Sequence, residues 1–376
     1  MFAVMLNISQ IEDFLIAVNP YEISNDEGYQ PGQLGQVLSE TPLDEAHIVL
    51  VGCNENRGAG RTFGEGAAEA IRRQLYSLYY WHAEVKIADI GDVKTGATWQ
   101  DSMAALKVVC KELMDADKKV IVIGGTHDNT LAQYNVFAER EQIIEAAIVD
   151  AKIDLRQDTP LRSENFLLEM LVGQPNFVKH YNHIGFQSYF VHPTLLETID
   201  KLRFDCFRVG RVKEHIEEME PVIRSSNLFS MDISAIAHAY APANSLSPNG
   251  LDGAEACKLM QYAGMSNTME TVGIYGFDAT KDRDGLTAMQ VAHIIWYYFD
   301  GFQKHLHEAE LDDRNSFNEY TTVCAEVDTL FLQSKRTGRW WMQMPDQTFA
   351  ACSYADYRTA SHNDLPERWL RAQERG

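Results

Sequence analysis

Three apolar segments of this chain each end in groups that can hold a cation. Residues 146–154 read Ala-Ala-Ile-Val-Asp-Ala-Lys-Ile-Asp. Small and β-branched residues without charge have the composition of a buried strand; Asp150, Lys152 and Asp154 then follow two apart. If the strand persists, that spacing puts all three on one face. Charges at the end of a buried strand are costly unless paired or metal-bound. A surface loop of alternating charge is the plainer reading of the same letters. Two further segments favour a site. Val120–Ile123 runs through Gly124, Gly125 and Thr126 into His127, and Leu228–Met231 runs into Asp232 and Ser234. Carboxylates and one imidazole from neighbouring strand ends make a donor set for a hard divalent cation. Open α/β sheets bind their ligands at that end of the strands.

The elements that must position these groups follow from hydrophobic patterning. Strands are predicted at residues 47–52, 85–90, 120–123, 143–150, 183–187, 204–209, 228–233 and 271–277. Helices are predicted near 66–75, 98–115, 128–139, 163–172, 193–201, 252–262 and 286–304, with Asp252 as an N-cap. Strand and helix alternate, which predicts a three-layer α/β/α domain over 46–308 with a mainly parallel central sheet. Residues 1–45 form an N-terminal extension, in which Ile11, Phe14, Leu15 and Val18 have helical spacing and 24–42 are polar and turn-rich. Residues 309–376 form a C-terminal extension: one strand over 321–331, a turn at 334–338, a second strand over 338–345 and a short helix over 365–373. Trp340 and Trp341 are expected to pack on the core, with an exposed interaction patch as the alternative.

With 33 basic and 54 acidic residues among 376, the net charge is −21. Such a field disfavours nucleic acid and anionic membrane as partners. The six cysteines are scattered without a C-x-x-C pair, as reduced thiols are. The first residues lack the basic and apolar regions of a signal peptide, and no apolar run approaches the ~20 residues of a membrane span. These features predict a cytoplasmic protein. A Gly-rich loop over 53–61 lacks the Gly-Lys-Ser/Thr of a phosphate cradle.

The three strand-end segments resemble those of the ureohydrolases: arginase, agmatinase and formimidoylglutamase. That family carries Gly-Gly-Asp-His, Asp-Ala-His-x-Asp and Ser-x-Asp-x-Asp around two manganese ions; here the segments read GGTH (124–127), DAKID (150–154) and SMDIS (230–234). The resemblance implies the arginase-like fold, with the 53–61 loop at the mouth of the site. It also implies that His127, Asp150, Asp154 and Asp232 hold one ion. The private ligands of the second ion fall on Lys152 and Ser234, so the Lys152 ammonium is expected to fill that position and bridge Asp150 and Asp232. Three carboxylates and one ammonium would then be neutralised by one divalent ion. Leu167 and Gly276 stand where the family has a proton-shuttling His and a substrate-facing Glu, and Ala237-His238 stands where it has Asp-Pro.

These readings imply a hydrolase of linear C–N bonds in amidino or formimidoyl compounds, running on at most one Mn2+. A small amidine or amino-acid-derived ligand is its expected partner, and Asp154 and Lys152 are the residues assigned to catalysis. The alternative is a catalytically inactive homologue acting as a binding or scaffold protein, and the site is expected to hold one Mn2+ or other divalent ion, or none. A third reading makes Lys152 a nucleophile or base, which its flanking carboxylates oppose. The resemblance also implies a homo-oligomer.

Overall fold

The computed structural model describes residues 10–24, 28–60, 66–324 and 327–375. The strands are β1 (Leu15–Ile16), β2 (Ile48–Cys53), β3 (Ile87–Val93), β4 (Lys119–Ile123), β5 (Ile144–Val149), β6 (Val178–Phe186), β7 (Asp205–Arg208), β8 (Leu228–Asp232) and β9 (Thr271–Tyr275). They form one nine-stranded sheet in the order β1-β3-β2-β4-β9-β8-β5-β6-β7. All pairs are parallel except the edge pair β1–β3. Strands β2, β4, β8 and β9 are apolar almost end to end because helices cover both faces. Two large apolar clusters lie on opposite faces of the sheet. One includes Leu50, Ile121, Phe229 and Ile295; the other includes Val49, Val120, Phe137 and Tyr181. The three-layer α/β/α expectation holds.

Register brings the site together. Ile123 pairs with Ile274, Ile274 with Met231, and Met231 with Val149. Four adjacent strands therefore end level, and the residues just past them share one rim. Local signals set the helices that follow. Asp252 accepts a hydrogen bond from Glu255 N and Glu255 reaches back to Asp252 N, a reciprocal cap for the helix Gly253–Gly264. Thr98 and Asp101 cap the helix Trp99–Asp115 in the same way.

The N-terminal extension differs from its expected helix. Glu12–Phe14 is a 3-10 turn, and Leu15–Ile16 is the edge strand β1. The turn-rich stretch contains a helix, Leu34–Glu40, whose Leu34 and Leu38 join a main cluster. Helical spacing in 11–18 was too short to nucleate a helix by itself, and the open edge of β3 claimed the segment instead. The C-terminal extension is more elaborate than expected. β10 (Phe317–Cys324), β11 (Val327–Ser334), β12 (Trp340–Gln343) and β13 (Phe349–Cys352) form a separate antiparallel sheet, so the single strand over 321–331 is in fact a hairpin. Helices Tyr354–Ser361 and Glu367–Arg375 follow. Trp340 and Trp341 are buried, as expected, each against its own small apolar cluster. Arg224 locks this unit to the main domain, with its guanidinium 4.3 Å from the Trp341 ring centroid and 2.7 Å from the Trp340 carbonyl.

Candidate metal centre

Two glycines turn the chain from β4 into His127. Gly125 has φ +77°, and a Cβ there would lie 2.0 Å from the Asn129 amide and 3.1 Å from the Glu55 carbonyl. Only glycine takes that backbone at no cost. His127 is thereby buried with both ring nitrogens engaged. Nδ1 lies 2.8 Å from Asp150 Oδ2 and 3.3 Å from Asp154 Oδ2, and Nε2 lies 3.0 Å from Ser230 Oγ. Ser230 Oγ in turn meets Thr130 Oγ1 at 2.7 Å.

Asp150 and Asp232 each stand at a strand end and accept from the backbone two residues on. Lys152 N donates to Asp150 Oδ1 (3.0 Å), and Ser234 N donates to Asp232 Oδ1 (2.8 Å). Each of these turns is a short Asx motif. The Ser234 hydroxyl closes the pair by donating to Asp150 Oδ1 at 2.7 Å.

The first of these turns corrects the place expected for Lys152. β5 ends at Val149, so Asp150, Lys152 and Asp154 do not share a strand face. The Asx turn throws the Lys152 side chain outward, where its ammonium lies 3.5 Å from Glu164 Oε1 at the pocket mouth and is about one-third exposed. Among the described residues, no ion pair joins it to Asp150 or Asp232. The charge count that placed an ammonium among three carboxylates is overturned, because Lys152 instead lies against Glu164, a carboxylate it shares with Arg156 at 2.9 Å. Ser234 takes the inner position that Lys152 was expected to fill.

What remains is one imidazole facing three carboxylates. Burial works against an imidazolium at His127, and hydrogen bonds to Asp150 and Asp154 more than reverse it, so its pKa is well above the usual range. Burial works against the Asp150 anion, and the His127 contact outweighs it, so this carboxyl is held below the usual range. Burial and then the Asp150 charge push Asp154 well up, and the same two causes push Asp232 up. A cluster that must share protons to relieve its own charge suits a cation.

Geometry agrees. His127, Asp150 and Asp232 each offer one ligand atom, and these atoms lie within 4.8 Å of one another. Donors at about 2.1–2.3 Å from a hard cation stand up to roughly 4.6 Å apart. Asp154 adjoins them through its contact with His127 Nδ1. The structure thus brings three of the four expected ligands to one point and sets Asp154 against His127. It leaves the second-ion positions to a hydroxyl and an outward ammonium. Leu167 is buried in an apolar cluster and does not line the pocket. Gly276 has φ +80°, and a Cβ there would strike the Asp232 carboxylate at 2.3 Å. Any side chain at 276 would displace a ligand.

The pocket over these groups measures about 310 Å3 and is lined also by Ala59, Leu161, Ser163, Glu164, Asn244 and Leu246. Ala59 places the Gly-rich loop at the mouth, as expected; its last residue, Arg61, lies outside the described residues. Sequence reasoning missed Ser230, Glu164 and Asn244. A hydroxyl inside an otherwise apolar strand was the available signal for Ser230. No local signal marked Asn244, whose amide braces the turn by donating to Ser234 O and Ile236 O.

A family model for arginases matches residues 46–300. The chain belongs to the arginase family. Among related sequences, the formimidoylglutamase of Streptococcus pyogenes serotype M3 is 22% identical over 331 residues, covering 78% of this chain and 99% of its own length. The formimidoylglutamase of Salmonella schwarzengrund is 22% identical over 276 residues, covering 66% and 83%. Among solved structures, Trypanosoma cruzi formiminoglutamase with Mn2+ aligns with a TM-score of 0.66 at 16% identity, covering 72% of this chain and 98% of that one. The agmatine ureohydrolase of Thermoplasma volcanium aligns at 0.60 and 21%, covering 74% and 96%. At these identities the structural likeness establishes the arginase fold; the sheet β10–β13 and its helices lie beyond the residues that the family model matches. Among the described residues, no helix is long and apolar enough to cross a membrane.

Proposed function

We propose that this arginase-family chain holds one divalent cation, Mn2+ by analogy with its relatives, on His127, Asp150, Asp154 and Asp232, and that it hydrolyses a linear C–N bond in a formimidoyl or amidino compound. The observation that carries this is the convergence of three ligand atoms within 4.8 Å on level strand ends, with Asp154 beside them. A divalent ion supplies Lewis-acid polarisation there and lowers the pKa of water towards neutrality.

The chain's own residues do the positioning. Ser230 orients the His127 ring from its far nitrogen. Lys152 N and the Ser234 hydroxyl fix Asp150. Leu161, Ile233 and Leu246 give the pocket an apolar side. At the mouth, Lys152 and Glu164, the latter also paired with Arg156, present charges of both signs to the tail of an amino-acid-derived ligand. The relatives' names point to a formimidoyl amino acid. A bare ammonium at ~5 Å would repel a cationic substrate by on the order of 3 kcal/mol, and Glu164, which Lys152 shares with Arg156, offsets part of that. One ion is favoured over two by ligand chemistry: neither the Ser234 hydroxyl nor the Lys152 ammonium replaces an imidazole or a carboxylate.

The second reading is a ligand-binding protein that keeps the pocket without turnover. The Ser234 hydroxyl on Asp150 and the absence of a side chain at Gly276 favour it. Elemental analysis after purification with manganese separates the two, together with an assay of formimidoyl amino acids for release of ammonia or formamide. One ion per chain with turnover supports hydrolysis, and no ion without turnover supports binding alone.

A further inference from the structure

Strand β6 has nine residues and its outer neighbour β7 has four. β7 pairs with β6 only from Asn182 onward, so the opening residues of β6 have no strand on that side. The C-terminal unit closes the gap. Phe349, Ala350 and Ala351 of β13 face it, as do Arg368 and Arg371 of the last helix. A cavity of about 610 Å3 remains, against about 310 Å3 over the metal centre. That size suits a small molecule. The two cavities share no lining residue, and the walls from 349 to 371 lie beyond the residues that the family model matches.

A buried donor inside this cavity points to a ligand. Asn182 is 3% exposed and lines the cavity. His180 Nε2 lies 3.1 Å from Asn182 Oδ1 and 2.8 Å from Asp205 Oδ2. Asp205 is a carboxylate paired with Arg371 and can only accept, so Nε2 carries the proton. Asn182 therefore meets His180 with its carbonyl oxygen. Its Nδ2 is left with no hydrogen-bond partner among the described residues. It is not sealed in protein either, and opens on the cavity. A buried donor in that state calls for an acceptor.

The charges around the cavity narrow the class of ligand. Arg371 also pairs with Glu367 at 2.6 Å, and Arg368 pairs with Asp356 at 3.1 Å. Glu145 is engaged as well. Among the described residues, the lining charges without an ion pair are Lys179 and Arg211, and Asp200 and Glu218. Two cations and two carboxylates are thus left over. A plain anion would satisfy Asn182 but face two unpaired carboxylates. A plain cation would leave the Asn182 donor unmet and face two unpaired cations. A ligand that carries both signs avoids both costs. Ile199, Phe204, Val222 and Phe349 give the cavity an apolar side.

We propose that this cavity binds a free α-amino acid with an apolar side chain. Its carboxylate takes the Asn182 Nδ2 donor, and its ammonium meets the unpaired carboxylates. The site is independent of the metal centre. Equilibrium dialysis of the full chain against L-leucine and L-phenylalanine is expected to show binding, with a dissociation constant of about 0.01–1 mM. Isocaproate lacks the ammonium and isoamylamine lacks the carboxylate. Each is expected to bind at least about tenfold more weakly than L-leucine. Lys179→Ala with Glu218→Gln is expected to weaken L-leucine by about tenfold or more, with an unchanged circular dichroism spectrum. No binding of either amino acid up to about 10 mM overturns the proposal. Equal binding of acid, amine and amino acid overturns it too, as does binding that survives unchanged in the double variant and so lies elsewhere. Should the double variant fail to fold, hydrogen exchange of the wild type provides the test. L-leucine must slow exchange in the helix Glu367–Arg375, which walls the cavity, and no slowing overturns the proposal.

Discussion

Asp150 is the residue on which the metal centre turns. It accepts from His127, from Lys152 N and from the Ser234 hydroxyl at once. Replacing both second-ion positions, Lys152→His with Ser234→Asp, takes the Ser234 hydroxyl off its Oδ1 and supplies the missing imidazole and carboxylate. Elemental analysis is expected to show bound manganese rising from about one ion per chain to about two. Asp232→Asn should act in the opposite sense. It removes a like charge beside Asp150, so the metal-free protein keeps or gains stability, while the rise in melting temperature on adding Mn2+ disappears. For the wild type that rise corresponds to about 2.7 kcal/mol at a hundredfold excess over the dissociation constant. A Mn2+-dependent rise that persists in Asp232→Asn would remove Asp232 from the ligand set.

Strand ends and the turns after them do what single residues cannot. The level termini of β4, β9, β8 and β5 bring donors from positions 127, 150 and 232 into one cluster. Gly276, at the end of β9, keeps the space beside Asp232 open. Gly276→Ala forces a Cβ into that carboxylate and strains a left-handed backbone. It is expected to cost about 2 kcal/mol in denaturant unfolding and to lower manganese affinity as well. Loss of stability with unchanged affinity would mean that Asp232 can shift without leaving the site.

The two sheets of the molecule are joined by buried charge. Arg339 reaches from beside β12 to Glu308 at 2.9 Å and to the Met265 carbonyl at 2.7 Å, with both side chains of the ion pair buried. Arg339→Ala strands the Glu308 carboxylate and is expected to cost about 3–5 kcal/mol, read as a lower denaturation midpoint. The same junction makes stability sensitive to pH. Burial, then Lys119 and Arg339, lower the His305 pKa from 6.5 to about 4. The unfolded chain therefore takes up a proton first as pH falls. His305 withdraws stability progressively from pH 6.5 down to about 4 and no further below that. His305→Gln should melt relatively higher than the wild type as pH falls through that window. A constant difference between the two would show that His305 does not titrate on unfolding.

How much of this was legible in the sequence depended on the range of the interactions involved. Apolar runs, helical periods and caps are local, so the strands and most helices in 46–308, the parallel sheet, the Asp252 cap and the four ligand candidates could be read from the letters, while the short helices Val209–Glu214 and Met219–Arg224 were not. The place of Lys152 could not. Period-two reasoning assumes that a strand continues, and here a side-chain-to-backbone hydrogen bond at Asp150 ends it and reverses the expected direction. Leu15–Ile16 became a strand because β3 offered it an open edge, which lies 70 or more residues away in sequence. The Ser230 contact to His127 spans 103 residues, and no local pattern encodes such a distance. Residue types thus determined which chemistry was available, a hard cation among carboxylates. Only the packing of distant segments decided which side chains face the candidate metal centre and which face water.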